Sequence, residues 1–311
     1  MLRTPGGASL PGMRFSFWIH AGHPWSEIVR SGRRAEDTGW DGLWFADHLM
    51  PLQGDLDAPL HEVWSALAGL AAVTERVRLG PLVCGNTYRN PALLAKQAVT
   101  VDHISNGRVV LGIGAGWQEN EHTAYGFDFG TFSDRFERLE EALQILRSLR
   151  SEERTAFDGA RYQLVDAPFS PKPVGGLPIM IGGGGERKTL RMVAQYADEW
   201  NVWADPTIMA QKSAVLDRHC VDQGRDPAEI QRSAVALLFL CDSEQRATEL
   251  RERGIERPSL IGTPSQLVEQ VAAFAEMGVD ELIVPDFNLG GGSAQDDIAD
   301  QFLAEVAAQF R

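Results

Sequence analysis

Cysteine is scarce in this chain. Cys84, Cys220 and Cys241 are the only three, too few and too scattered for a disulfide framework or a zinc site built from paired cysteines. A reducing compartment, the cytoplasm, is the expectation. Positive charge is also in deficit: 29 Lys and Arg face 43 Asp and Glu, a formal net charge of −14 at pH 7. That balance speaks against a charge-driven grip on nucleic acid or anionic lipid, so neither is expected as a partner. Long apolar runs are missing as well, since no stretch reaches the ~18 apolar residues of a membrane span. Residues 1–12, rich in Gly and Pro, hold no secretory apolar core and read as a loosely ordered extension, with Met13 as an alternative start.

What is present is a core. Of 311 residues, 44% are hydrophobic and 23% charged, the profile of a soluble globular protein. Short β-rich runs at 15–19, 43–46, 77–83, 109–113, 179–181, 200–203, 234–240 and 281–284 alternate with helical patterns. Residues 26–38, 62–73, 92–104, 135–149, 187–196, 208–222 and 264–276 carry the 3.6-residue period, and a closing helix spaces Ile298, Phe302, Val306 and Phe310 by four. Residues 151–177 break the rhythm with a hairpin signal at Asp158-Gly159 and a run of prolines, which reads as an insertion. Strands separated by helices require crossovers and hence a parallel sheet. Eight such units predict an α/β fold, a (β/α)8 TIM barrel filling residues 13–311 as one domain, in preference to a doubly wound sheet, whose glycine fingerprint is absent after the first strand.

In a barrel the chemistry collects beyond the carboxyl ends of the strands. The second strand delivers Asp47-His48, a carboxylate beside an imidazole suited to proton transfer, although the pair also fits a capping aspartate next to a solvated histidine. The fourth delivers Gly112, Gly114 and Gly116 before Trp117; the spacing fails as a dinucleotide fingerprint and suits either a flat ligand close to the backbone or a tight bend. The fifth runs through Gly182, Gly183, Gly184 and Gly185 into Arg187-Lys188 and a helix, an anion site that points to a phosphate-bearing ligand. Pro81 implies a distortion of the third strand. Cys84 reads as a small buried residue rather than a nucleophile, and His103 as structural. His20 and His23 have no neighbouring carboxylate motif, so no metal is expected. Trp18, Trp200 and Trp203 stand near strand ends and serve equally as pocket walls or core.

These stretches together resemble a known family. Trp40–His48, Gly80–Trp117 with its Thr87-Tyr88-Arg89-Asn90-Pro91 and Ser105-Asn106-Gly107-Arg108 segments, and Ile181–Glu186 are similar to the luciferase-like flavin oxidoreductases, most of all the branch using the deazaflavin coenzyme F420. The resemblance implies a (β/α)8 barrel, usually a homodimer, with the cofactor at the mouth and its phosphate near Gly183–Gly185. It places Asp47 by the deazaflavin ring, makes His48 an acid-base group, sets Asn120 beside the cofactor, and puts a nonprolyl cis peptide at Leu82-Val83 behind the ring. The expected cofactor contacts are therefore Asp47, Leu82, Val83, Cys84, Gly114, Asn120, Gly182, Gly183, Gly184 and Gly185, with His48 and Asp47 catalytic and His20 and Trp203 touching a small-molecule substrate. Hydride transfer with F420 is the implied reaction. A reduced-FMN monooxygenase is the alternative, and a non-catalytic flavin binder a third. Family members acting on sugar phosphates use late lysines, whereas this chain has none after Lys212, which argues against glucose 6-phosphate.

Overall fold

A computed structural model describes residues 12–311; the expected looseness of the amino-terminal extension falls, for 1–11, outside the described residues. The parallel sheet contains β1 (Arg14–Trp18), β2 (Gly42–Phe45), β3 (Arg78–Pro81), β4 (Cys84–Gly85), β5 (Leu111–Gly114), β8 (Ile179–Gly182), β9 (Glu199–Trp203), β10 (Gln231–Val235) and β13 (Glu281–Pro285). Its order is β3-β2-β1-β13-β10-β9-β8-β5-β4. The first and last of these are two halves of one barrel strand, because β3 pairs with β2 while β4 pairs with β5. Leu79 also bridges Val109, and the Val110 N–H donates to the Leu79 carbonyl at 2.9 Å. The ring closes with eight positions, the predicted barrel.

Helices follow the strands: α1 (Trp25–Thr38), α2 (Val63–Ala71), α3 (Pro91–Ile104), α4 (Glu119–Tyr125), α5 (Phe132–Ser151), α6 (Thr189–Tyr196), α7 (Pro206–Asp222), α8 (Glu244–Glu252), α9 (Pro264–Glu276) and α10 (Ser293–Glu305). Their starts are written locally. Asn90 accepts from the Ala92 N–H before Pro91, Asp205 accepts from Ile208 before Pro206, and Thr131 with Asp134 forms a capping box. The insertion is the antiparallel hairpin of β6 (Arg154–Asp158) and β7 (Gln163–Pro168).

Three sequence expectations change. The strand foreseen over 234–240 divides at Ala236: β10 stays in the barrel, whereas β11 (Leu237–Leu240) leaves it to pair with β12 (Ser259–Gly262). The polar helix α8 between them, burying only Ala247 and Leu250, gave too faint a period to be read. Helix α6 starts at Thr189 instead of Arg187, so three residues separate the last glycine of Gly182–Gly185 from the helix.

Most buried apolar residues lie between barrel and helices. A smaller set fills the lumen: Trp18, Trp44, Leu82, Val110, Met180, Val235 and Ile283. Beneath it, at the amino ends of the strands, Arg78 pairs with Glu199 and with Glu281 at 2.8 Å, and the Trp44 indole donates to Glu281 at 2.9 Å. The lumen is thus plugged, and ligands are confined to the carboxyl-end mouth.

Candidate active site

Asp47 and His48 leave β2 toward different partners. The Asp47 carboxylate is buried and accepts from both Arg89 amino groups, at 2.6 and 3.0 Å, and from the Gly85 N–H at 3.2 Å. Arg89 continues to Glu62 at 2.7 Å, whose carboxylate caps α2. Burial pushes the Asp47 carboxyl above its ordinary range while the guanidinium pulls the other way. Asp47 therefore ties β2 to the segment after β4.

His48 stays partly exposed. Its Nδ1 lies 2.8 Å from Glu121 Oε1, and its ring meets the edge of Trp117 with centroids 5.5 Å apart. Glu121 is wholly buried on α4 and also accepts from the Leu49 N–H at 2.7 Å and from the Tyr88 hydroxyl. Burial would lift this carboxyl, but the donors from His48, Tyr88 and Leu49 hold it below the ordinary range. The Tyr88 phenol is raised, first by burial and then by donating to an anion. A charged carboxylate on one imidazole nitrogen leaves the other free for a ligand.

The third-strand distortion is a cis peptide at Leu82-Val83, as the resemblance implied. Glycines make room for it. A Cβ on Gly112 would lie 2.1 Å from the Pro81 carbonyl, one on Gly114 3.1 Å from Val83 Cγ2, and one on Gly182 2.7 Å from the same methyl. These glycines answer to the protein's own bulge, the structural half of the two readings open for the Gly112–Gly116 run. Cys84 follows the bulge fully buried, its thiol pushed well up by burial.

At the Gly182–Gly185 turn, Gly183 adopts φ 119° and its N–H is committed to the Asn201 carbonyl at 2.9 Å. An anion held here therefore relies on the N–H groups that follow Gly183. Lys212 flanks them: its Cε is 3.6 Å from where a Gly184 Cβ would stand, and its amine reaches Glu186 at 2.8 Å. Trp200 is core, its indole donating to the Gly183 carbonyl at 2.9 Å.

Asn120 turns toward the loop after β2, donating to the Pro51 and Leu52 carbonyls at 3.1 and 3.3 Å. His20 and Trp203 stand on another arc of the mouth. The His20 ring meets His23 at 5.8 Å and Phe287 at 5.5 Å, and Trp203 meets Trp18 at 5.7 Å. The carboxylate that sequence spacing failed to supply comes from the far end of the chain, with Asp286 3.0 Å from His23 Nε2. That contact raises His23, whereas burial lowers His20. Among the described residues no three His, Cys, Asp or Glu side chains group as a metal site.

Sequence reading missed Glu121, Arg89 and Asp286. Arg89 sits within the Thr87–Pro91 motif and Glu121 four residues beyond Trp117, where each passes for a solvated charge; Asp286 follows the last strand, a position that could have marked it.

A parallel barrel with glycine-lined strand ends and a histidine-carboxylate pair at its mouth defines an α/β-barrel enzyme. The chain belongs to the luciferase-like monooxygenase family, whose profile matches residues 12–257. It is 29% identical over 327 aligned positions to the F420-dependent glucose-6-phosphate dehydrogenase of Intrasporangium calvum, covering 92% of this chain and 95% of that one. To the protein of the same description from Kineococcus radiotolerans it is 42% identical over 154 residues, covering 49% of this chain and 45% of the other. With the counterpart from Amycolatopsis mediterranei it shares 37% over 175 residues, so this match spans half of that relative. Among solved structures, coenzyme F420-dependent tetrahydromethanopterin reductase of Methanopyrus kandleri superposes with a TM-score of 0.81 at 17% identity, over 97% of this chain and all of the other. An F420-dependent secondary alcohol dehydrogenase gives 0.79 at 18%, over 95% and 99%. Both establish the fold.

Proposed function

We propose that this protein is an F420-dependent oxidoreductase that exchanges a hydride with a small organic molecule at the barrel mouth. The observation that carries the reading is the His48–Glu121 pair, an acid-base group held at its back by a buried carboxylate and open at its front. The F420-dependent relatives support the choice of cofactor.

The residues present fit a planar cofactor with a phosphate tail. Asn86, at the end of the bulged strand, has a buried Oδ1 with no protein partner, and Lys212 flanks the turn at Gly184. Leu82, Val83 and Asn86 would hold the ring, and the N–H groups after Gly183 with Lys212 would hold the phosphate. Asp47, Cys84, Gly114 and Asn120 would complete the cofactor's contacts, as the family resemblance implies. When bound, the deazaflavin supplies the acceptor or donor of the hydride. His48 takes or returns the proton at the substrate oxygen; Glu121 holds its ring, and the surrounding side chains keep water from the reacting carbon. The enzyme works on a small molecule, as a homodimer in line with the family resemblance. Three free, buried cysteines suit a reducing cytoplasm, and among the described residues no helix is long and apolar enough to cross a membrane.

The test is a titration of the purified protein with F420 and, separately, with FMN, followed by fluorescence. Saturable micromolar binding of F420 is expected. Binding of FMN alone would replace this reading with that of a reduced-FMN monooxygenase.

A further inference from the structure

Two imidazoles and a carboxylate stand at the mouth outside the His48–Glu121 pair. Along β1 the side chains alternate: Phe17 and Ile19 pack between barrel and helices, Trp18 enters the lumen, and His20, in step with Trp18, turns to the mouth. On the neighbouring β2 the same alternation sends Trp44 and Ala46 inward, and His48 is next in step. Trp18 lies opposite Trp44, so His20 comes level with Ala46, one two-residue step short of His48. The two histidines belong to one corner of the mouth.

The His20 ring is fixed from several sides. Both oxygens of Asp286 accept from the His20 backbone N–H at 3.1 Å, and the Asp286 N–H donates to the Trp18 carbonyl at 3.0 Å, which clamps the end of β13 to the end of β1. The ring meets Phe287 at 5.5 Å and His23 at 5.8 Å, both edge-on. A Cβ on Gly22 would fall 2.8 Å from the His20 Cε1, so the chain folds back over the imidazole only because residue 22 is glycine. There the Gly22 N–H donates to His20 Nδ1 at 3.1 Å. A nitrogen that accepts carries no hydrogen, so the hydrogen of the neutral ring sits on Nε2. Charging the ring would force a second one between Nδ1 and that N–H. Burial also lowers the His20 pKa, with Asp286 raising it and His23 lowering it. His23 is itself held by Asp286 at 3.0 Å, so its charge is matched within the protein. His20 remains exposed, and its Nε2 has no partner among the described residues.

Resting on the reading of the mouth as the substrate site, we propose that His20 is a specificity-determining residue: a neutral imidazole, fixed with its hydrogen on Nε2, that donates to an uncharged carbonyl oxygen of the substrate apart from the reacting group. His48 has a carboxylate behind its ring, whereas His20 has a backbone N–H. His20 therefore holds an oxygen and exchanges no proton. A neutral donor gives a carbonyl its hydrogen bond without offering a carboxylate or phosphate the charge that would replace its hydration. The substrate class is a small uncharged molecule that carries an amide or ester carbonyl beside its reacting group.

The test uses benzamide and benzoate, alike in shape and different in charge, and NMR of protein isotope-labelled at its histidine nitrogens, without cofactor. At neutral pH the His20 signals, assigned by their loss in His20→Gln, are expected to show a neutral ring with its hydrogen on Nε2. Benzamide should shift the Nε2 resonance along a saturating curve, and benzoate should bind more weakly. His20→Leu should raise the benzamide Kd by about 2- to 10-fold, the worth of one neutral hydrogen bond, and His20→Gln, whose amide N–H reaches the same side, should restore it. A hydrogen on Nδ1, a charged ring, benzoate bound as tightly as benzamide, no benzamide binding to wild type, an unchanged Kd in His20→Leu, or a loss that His20→Gln fails to restore each overturns the proposal. Failure of F420 to bind would defeat the functional reading and leave this readout intact, whereas any of those results sinks the proposal alone.

Discussion

Asp47 and His48 are adjacent in the chain and do different physical work, and only their partners reveal it. Arg89 is 10% exposed at its side chain and is bound on two sides by carboxylates. Removing Asp47 takes two hydrogen bonds from a buried guanidinium and leaves the half-exposed Glu62 as its one carboxylate, a loss approaching the ~3–5 kcal/mol of a broken buried pair. Asp47→Ala is therefore expected to lower stability by roughly that amount in urea or thermal melts, well beyond an effect confined to ligand binding. Adding Arg89→Ala to it should recover part of the loss, because the guanidinium left with only Glu62 is gone. Equal stability of Asp47→Ala and wild type would show that the pair is not a structural tie. His48 was legible because it ends a strand. Glu121 was not, because a glutamate in a polar stretch looks solvated until its helix is folded over Leu49 and Tyr88.

Among the elements, alternation of strand and helix was readable because parallel pairing forces crossovers, and proline, asparagine and aspartate at helix starts announce their own hydrogen bonds. The parting of β10 from β11 at Ala236 was not, since both halves are apolar and β-prone and only their partners differ. The glycines of β5 and β8 are the clearest case of a pattern seen and then reassigned. Their bare faces receive Val83 and the Pro81 carbonyl. This yields a paired prediction. Gly182→Ala drives a Cβ to 2.7 Å from the Val83 methyl, and overpacking of this kind costs about 1–3 kcal/mol. Val83→Ala in the same chain removes the clash and should restore much of the melting temperature. Gly112→Ala, which meets the Pro81 backbone carbonyl at 2.1 Å, should not be rescued by Val83→Ala. Rescue of both alike would mean that the strand is free to move and that the glycines are not its seat.

At the scale of the whole molecule, the barrel is held at its base by a cation serving two carboxylates, with Arg14 on β1 reaching one of them, Glu281, at 3.6 Å. Arg78 on β3 reaches Glu199 on β9 and Glu281 on β13, so a single side chain spans the ring. The sequence offered no sign of this, because Arg78 is 121 positions from Glu199 and 203 from Glu281 and each of the three opens its strand where a surface charge is ordinary. Burial raises the Glu199 carboxyl above its usual value of 4.5, with Arg78 opposing. A carboxyl whose folded pKa is raised binds more protons folded than unfolded between the two values. Stability from this group therefore falls as pH rises through that window. Arg78→Met removes the chief opposing attraction and leaves two buried carboxylates together with only Arg14 nearby, a loss approaching about 3–5 kcal/mol when both are charged. The deficit of Arg78→Met against wild type is thus expected to be larger at pH 8 than at pH 5, where Glu199 relieves it by keeping its proton. Urea melts at the two pH values measure it directly. A deficit independent of pH would mean that Arg78 contributes packing in the lumen and not compensation of charge.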